Sequence, residues 1–495
     1  MKRLIASFLT LSLIAVACQV LGSQPSPVPP ATQTSTPPAT VQPADRALFR
    51  AGLVTSAQPV LDGLKGASEY QLEFEIAEDF LHINGKEQVR YTNNEDVPLT
   101  EVRLRLFPNI LGGVMHLPEV RVDDNPVIPI YSLEDSLMSL PLASPLEPGQ
   151  SVILNMDFTE VVPDTVDLNY GVLAYADGVL ALAHSYPMIA VYNQEGWNAE
   201  IPPQSGDVTF SDMSFFTVKV TAPKNVTLVA VGREVSRAEQ GQTQVVMYAA
   251  GPVRDFYLAA SADYEVTSQK VGEIVVNFYS ASAQKSGARS GLTFAAKAIQ
   301  DYSSRYAPYP YTELDIVATP TLALGIEYPG MIAITSQILV PNHYYLEGTV
   351  AHEVGHQWFY NLVGNDQLDD PWLDESLTQF VTLQYFGDEY GPQGAASFRE
   401  SLTGRWQDVD NHKIPIGMPV ASYTENEYSA IVYGRGPLFF EALEKEIGGD
   451  AFDAFLRDYT VTYSWGIATP EGLKSLAEKH CSCDLTPLFD EWVNP

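Results

Sequence analysis

The run HEVGHQWFYNLVGNDQLDDPWLDE, residues 352–375, constrains this chain more than any other stretch. Residues 348–363 around its start hold no proline and are apolar on one face, so they read as a helix. At 3.6 residues per turn His352 and His356 project from the same side, the spacing two imidazoles need to share one metal ion. Glu353 is turned by about 100° from His352, placed to reach a water on that metal without binding it. The plain alternative is a surface helix with two solvated histidines. Glu375 weighs against it, following His356 after 18 intervening residues, 357 through 374. Pro371 can start a second helix there, and Asp374 adds negative charge to its first turn. A glutamate facing the first helix completes two histidines and one carboxylate with a fourth position open. That is the ligand set of a catalytic zinc rather than a structural one, and one Zn2+ per chain is expected.

A metal site of this kind needs a sizeable scaffold. The chain has 495 residues, 45% of them hydrophobic, enough for two domains with substantial cores. Its 28 basic against 61 acidic residues leave a net charge of −33. Such a balance excludes nucleic acid and anionic membrane surfaces as direct partners. It reads first as solubility and second as a preference for cationic substrates. Composition sets no oligomeric state.

The N-terminus reads as an address. Lys2 and Arg3 precede an apolar run from Leu4 to Ala17, too short to span a bilayer, and then Cys18. Ala15, Val16 and Ala17 before the cysteine resemble a bacterial lipobox, with Ala15 where Leu is usual. Residues 1–17 are therefore expected to be a lipoprotein signal peptide and Cys18 the lipidated residue, an ordinary signal peptide being the alternative. Residues 18–46 follow as a Pro/Ser/Thr-rich tether without apolar period. The expected location is outside the cytoplasm, on a bacterial membrane reached only through the lipid. Cys481 and Cys483 remain, beside His480. They read as a small disulfide or a pair of inert thiols rather than a metal site, because no second cluster completes one.

The body divides by pattern. Between Tyr70 and Val235, YQLEFEI, EVRLRLF and FTVKVTAP alternate apolar with polar residues, which indicates antiparallel sheet with one polar face. Asn84-Gly85 and Asp124-Asn125 offer turns. After about Tyr264, SGLTFAAKAIQDYSSRY has helical spacing, ended by Pro308 and Pro310, and a strand-like ELDIVATP follows. The expected fold is α+β, with a β-sheet domain over 47–264 and an α-rich zinc domain over 265–495.

HEVGHQWFYN followed by WLDE at this spacing closely resembles the aminopeptidase N family of gluzincin metallopeptidases, whose pattern reads HExxHQWF and then WLNE. Asp374 stands where the family has Asn. LGIEYPGMI, residues 324–332, resembles the family's exopeptidase motif, often GGMEYPG in bacterial members, with Leu324 and Ile326 in place of Gly and Met. The resemblance implies that Glu327, beside Gly325 in the same substrate-binding motif, binds the free α-amine of a peptide. A fixed carboxylate of this kind selects chain ends, since an internal peptide bond would leave it unpaired. AIVYGRGPLFFEAL resembles the family's YxKG segment, with Tyr433, Arg435 and Gly436 in register, and implies that Tyr433 donates to the oxyanion. It also implies a saddle-like N-terminal sheet domain and a thermolysin-like catalytic domain, in a short form without the helical C-terminal domain of larger members. The activity implied is zinc-dependent removal of N-terminal residues from peptides, with Glu353 as general base. Two other readings stand beside it: a zinc metallopeptidase without strict exopeptidase behaviour, and a non-catalytic peptide-binding lipoprotein.

Overall fold

Alternation of apolar and polar side chains makes a strand with one buried face, and the first such run does so. In the computed structural model, which describes residues 46–203 and 206–494, YQLEFEI lies in strand Ser68–Ile76. Leu72, Phe74 and Ile76 are buried there, and Gln71, Glu73 and Glu75 are exposed. The signal peptide, Cys18 and nearly all of the tether fall outside the described residues. The strand sits inside an eight-stranded sheet, between Ser214–Pro223 on one side and His82–Thr92 on the other. Every neighbouring pair in that sheet is antiparallel except one: Ser68–Ile76 runs parallel to Ser214–Pro223. A period of two is common to both arrangements, and parallel pairing needs only a long connection, which the intervening residues supply.

Asn84-Gly85 makes no turn. Both residues lie within strand His82–Thr92, and a side chain at Gly85 would enter the ring of Phe158 on the neighbouring strand, 1.9 Å from a built Cβ. The reversal falls earlier, where Phe80 adopts a φ of 59° and the Ala77 N–H donates to the His82 carbonyl. Asp123 and Asp124, with φ of 47° and 64°, form the turn expected beside Asn125. EVRLRLF belongs to a separate four-stranded sheet through Leu99–Arg105. Tyr70, Phe74 and Phe216 on the large sheet meet Tyr186 and Phe256, which flank strands of two smaller sheets, in one aromatic seam.

From Tyr264 onward the chain builds a five-stranded sheet ordered Tyr264–Val271, Ile274–Ala281, Glu313–Thr319, Met331–Thr335 and Gly325–Ile326. The helix α1, Lys285–Arg305, makes the crossover between the parallel strands Ile274–Ala281 and Glu313–Thr319. Its buried face is rich in alanine, which lets the next helix, α2 (Leu346–Gly355), approach until the Tyr302 hydroxyl donates to the Ala351 carbonyl at 3.1 Å. α2 is shorter than expected: it stops at Gly355, with His356 as its cap. A tight loop follows in which Tyr360 holds a φ of 142°.

That loop is clamped from the β-rich part by Arg254, which is buried among backbone carbonyls. Its guanidinium donates to Tyr360 at 2.7 Å, Asn361 at 2.9 Å and Ser211 at 3.0 Å, and also to Gly466. Burial lowers its pKa to about 10. The third long helix, α3, runs from Leu377 to Trp406 with a kink at Gly391. Near the C-terminus Cys481 and Cys483 form a disulfide, and His480 pairs with Asp458 at 3.0 Å. Among the described residues no helix is long and apolar enough to cross a membrane.

Candidate active site

α2 presents His352 from its last turn and His356 from its cap, while Glu375 comes from a separate π-helical turn, Trp372–Ser376. The two histidine Nε2 atoms lie 3.1 Å apart, and Glu375 Oε2 is 3.1 Å from His352 Nε2 and 3.4 Å from His356 Nε2. A tetrahedral zinc with bonds near 2.0–2.1 Å sets its ligands about 3.3 Å apart, so this triangle has the size such an ion needs. His356 Nδ1 lies 3.0 Å from the Phe359 carbonyl, an arrangement that puts the proton on Nδ1 and leaves Nε2 free to bind. Burial alone would raise the Glu375 pKa. His356 and the imidazole contacts outweigh it and hold the group well below the usual carboxylate range. The donor set therefore fits Zn2+.

Glu353 is buried next to this triangle, with its carboxylate, that of Glu327 and a His356 nitrogen all within 4.8 Å of one another. Burial, then the charges of Glu327 and Glu375, push its pKa well above the ordinary value. Gly325 sits on the edge strand of the five-stranded sheet, against Glu353: a Cβ there would lie 2.3 Å from Glu353 Oε1. Its place in the site is therefore to leave room for that carboxylate. The following turn is fixed by Gln357, whose side chain donates to the Tyr328 carbonyl at 3.1 Å and accepts from the Gly330 N–H at 2.7 Å. Gly330 has a φ of 68°, a conformation that favours glycine. The replacements at Leu324 and Ile326 leave Glu327 on this turn, buried and within 4.8 Å of Glu353 and His356.

Three residues surround Glu327, and two of them, Gln367 and Asp207, carry no signal in the sequence. Gln367 donates from one Nε2 to Glu327 Oε1 at 3.2 Å and to Asp374 Oδ2 at 2.8 Å, tying the two motifs together. Asp374 is fully buried and accepts from the Glu375 N–H at 2.9 Å. Burial and the adjacent Glu375 push its pKa up to about 8. It is thus not the ionised first-turn acid expected, because no solvent reaches it. Asp207, from the segment before strand Ser214–Pro223, brings a third carboxylate within 4.8 Å of both Glu327 and Asp374. No local pattern around Asp207 signals this. Only the tertiary fold carries a residue of the β-rich part to the zinc helix.

Tyr433 lies on a second π-helical turn, Ile431–Arg435, with its ring 6.1 Å from that of His352 and 5.6 Å from that of Tyr428. Burial, then the Glu375 charge, hold its phenol well above its ordinary pKa, so it stays an O–H donor. Arg435 lies away from the metal site and donates to the carbonyls of Ile414, Trp492 and Glu491. All the predicted site residues within the described chain except Arg435 and Gly436 face or adjoin one cavity of about 1340 Å³.

Residues 291–492 match the peptidase family M1 domain. Over 297 residues the chain is 24% identical to Aminopeptidase M1-B of Oryza sativa subsp. japonica, covering 56% of this chain and 34% of that protein. It is also 24% identical over 300 residues to Probable aminopeptidase 2 of Sulfurisphaera tokodaii, covering 56% and 38%. The chain thus spans little more than a third of the length of these relatives. In three dimensions it resembles an M1 zinc metallopeptidase from Deinococcus radiodurans with a TM-score of 0.66 at 18% identity, over 90% of this chain and 95% of that one. The same fold is seen in an E323A mutant of that protein bound to Tyr-Ser-Ala, with a TM-score of 0.65. These likenesses agree with the α+β architecture described above.

Proposed function

We propose that this chain, whose residues 291–492 match the peptidase family M1 domain, is a zinc-dependent aminopeptidase that removes the first residue from peptides with a free N-terminus. The observation that carries the reading is the pairing of a zinc-sized donor triangle with the carboxylates of Glu327 and Asp207 on the same cavity floor. A buried Glu327 with the half-buried Asp207 beside it calls for a cation, and a peptide's α-ammonium supplies one.

His352, His356 and Glu375 would hold Zn2+, which would supply Lewis acidity toward a water and the scissile carbonyl. Glu353, with its affinity for protons raised by burial, takes the proton of the attacking water and passes it to the leaving amine. Tyr433 donates its hydroxyl to the oxygen on which negative charge develops. Glu327, oriented by Gln367, and Asp207 hold the ammonium so that the first peptide bond lies at the metal.

The test is hydrolysis of aminoacyl anilides and short peptides, free and N-acetylated, with and without a zinc chelator. Free substrates are cleaved, acetylated ones are spared, and chelation abolishes both signal and metal content. Glu353→Gln retains zinc and loses turnover by about 10²–10⁴-fold. Equal cleavage of free and acetylated peptides would overturn the ammonium anchor. Cleavage that survives full removal of the metal would overturn the zinc assignment.

The same proposal holds the enzyme outside the cytoplasm by lipid on Cys18. The support is the charged start, the short apolar run and the Pro-rich segment that follows. In detergent phase partitioning the full chain enters the detergent phase and Cys18→Ser remains aqueous. A full chain that remains aqueous overturns the anchor.

A further inference from the structure

Exposed apolar side chains scattered singly are ordinary, but clustered ones mark a surface that binds something. Among the described residues twenty large hydrophobic side chains are exposed, and eight of these line the one large cavity that holds the zinc ligands. Leu168, Tyr170 and Ile201 come from loops of the β-rich part. Leu322 and Leu324 lead into the edge strand that carries Gly325. Tyr344 and Tyr345 precede α2, and Tyr390 stands at the kink of α3.

The rim is built rather than loose. The Tyr170 carbonyl accepts from the Leu322 N–H at 2.9 Å and from the Thr321 hydroxyl at 2.6 Å, joining the loops of the two parts. Across the opening the Tyr390 hydroxyl is fixed on Glu347 at 2.7 Å. The cavity, about 1340 Å³, exceeds the roughly 300–1,000 Å³ that enclose a drug-sized ligand, and so is larger than one amino acid requires. Its floor is polar and acidic, and the eight exposed apolar side chains share the outer lining with exposed polar ones such as Asp167, Asn342 and Gln393.

We propose that this rim docks the part of the substrate that follows the scissile bond, so that the preferred substrates are peptides longer than dipeptides with apolar or aromatic residues there. The inference rests on the aminopeptidase reading. With the ammonium fixed at Glu327 on the floor, everything beyond the first peptide bond leaves through the opening and crosses these side chains. Apolar residues on the peptide remove Leu168, Leu322 and the tyrosines from water, whereas polar ones leave them exposed.

The test compares hexapeptides that share one N-terminal residue and differ only in carrying Leu and Phe, or Ser and Asn, at the following positions. An aminoacyl anilide with that same first residue reports the chemistry without the rim. Wild type cleaves the apolar hexapeptide with a kcat/KM at least about tenfold above the polar one. The double variant Leu168→Ser/Tyr344→Ser, both exposed positions, loses that preference and keeps anilide hydrolysis within about twofold. Binding of the same hexapeptides to Glu353→Gln, measured by calorimetry, shows the same preference without turnover. Equal kcat/KM for the two hexapeptides overturns the proposal. So does a double variant whose anilide and hexapeptide activities fall in proportion. A rim that instead pairs two copies of the chain gives a dimer that the double variant dissociates, with both hexapeptides cut alike, which also overturns it. Absence of any cleavage, anilide included, strikes the aminopeptidase reading itself and is thereby told apart.

Discussion

Asp207 reaches the floor of the cavity from a segment more than a hundred residues before the zinc helix, and it stands beside a carboxylate already placed to meet an ammonium. Burial and the charges of Glu327, Glu375 and Asp374 all push its pKa well up. Such a group gains most when a cation arrives, because the ion removes the repulsion it shares with its neighbours. Asp207→Asn keeps the shape and removes that gain. KM for free-amine peptides is expected to rise about tenfold while kcat stays within about threefold, as for loss of a charged contact made before the chemistry. A fall in kcat at unchanged KM, read from steady-state kinetics, would refute the role. The residues of the site divide on this point. His352, Glu353, His356 and Glu375 are legible because helical spacing and donor chemistry fix them locally. Asp207 and Gln367 are not, because an isolated Asp or Gln becomes functional only through what the fold sets against it.

Glu375 and Tyr433 share an element type that periodicity does not disclose. Each sits on a π-helical turn, Trp372–Ser376 and Ile431–Arg435, and the two turns touch through the Ser376 hydroxyl, which donates to the Val432 carbonyl at 2.6 Å. A π turn shifts the side chains after it relative to an α-helix and is often found at functional sites. Here the contact sets how far Glu375 lies from Tyr433. Gly436 makes it possible, since a Cβ there would stand 1.9 Å from Ser376 Oγ and 2.5 Å from Ser376 Cβ. Gly436→Ala must therefore push the turns apart, and kcat is expected to fall at least about tenfold with partial loss of zinc. Adding Ser376→Gly removes the obstructing atoms, and the double variant recovers activity above Gly436→Ala alone. Activities that simply multiply, with no recovery, would show that the contact does not set the spacing. The helix start at Pro371 follows from residue pattern. The π register and the early end of α2 do not, because both are decided by packing.

At the scale of the whole molecule, a chain of net charge −33 gathers several of its carboxylates in one place, which is tolerable only with bound protons or a compensating cation. The alternation of the strands and the helical spacing after Tyr264 announce the α+β fold. The parallel pair at the centre of the large sheet, and the Asp207 carboxylate set beside Glu327, are consequences of chain path. Glu327, Glu353 and Asp374 all have pKa values raised first by burial. A carboxyl whose folded pKa lies above its unfolded one stabilises the fold fully only below the unfolded value, and that contribution is lost as pH rises through the folded value. The metal-free protein is therefore expected to lose stability steadily from the ordinary carboxylate range up to about pH 8, the value for Asp374. Zinc acts in the opposite sense, neutralising the same carboxylates and binding better once His352 and His356 are free of competing protons. The two trends add, so the drop in melting temperature caused by a chelator should be larger at pH 8 than at pH 6. Differential scanning calorimetry at the two pH values, with metal content checked before and after chelation, makes the comparison. An equal or smaller drop at pH 8 would mean that the buried carboxylates are not what the metal stabilises.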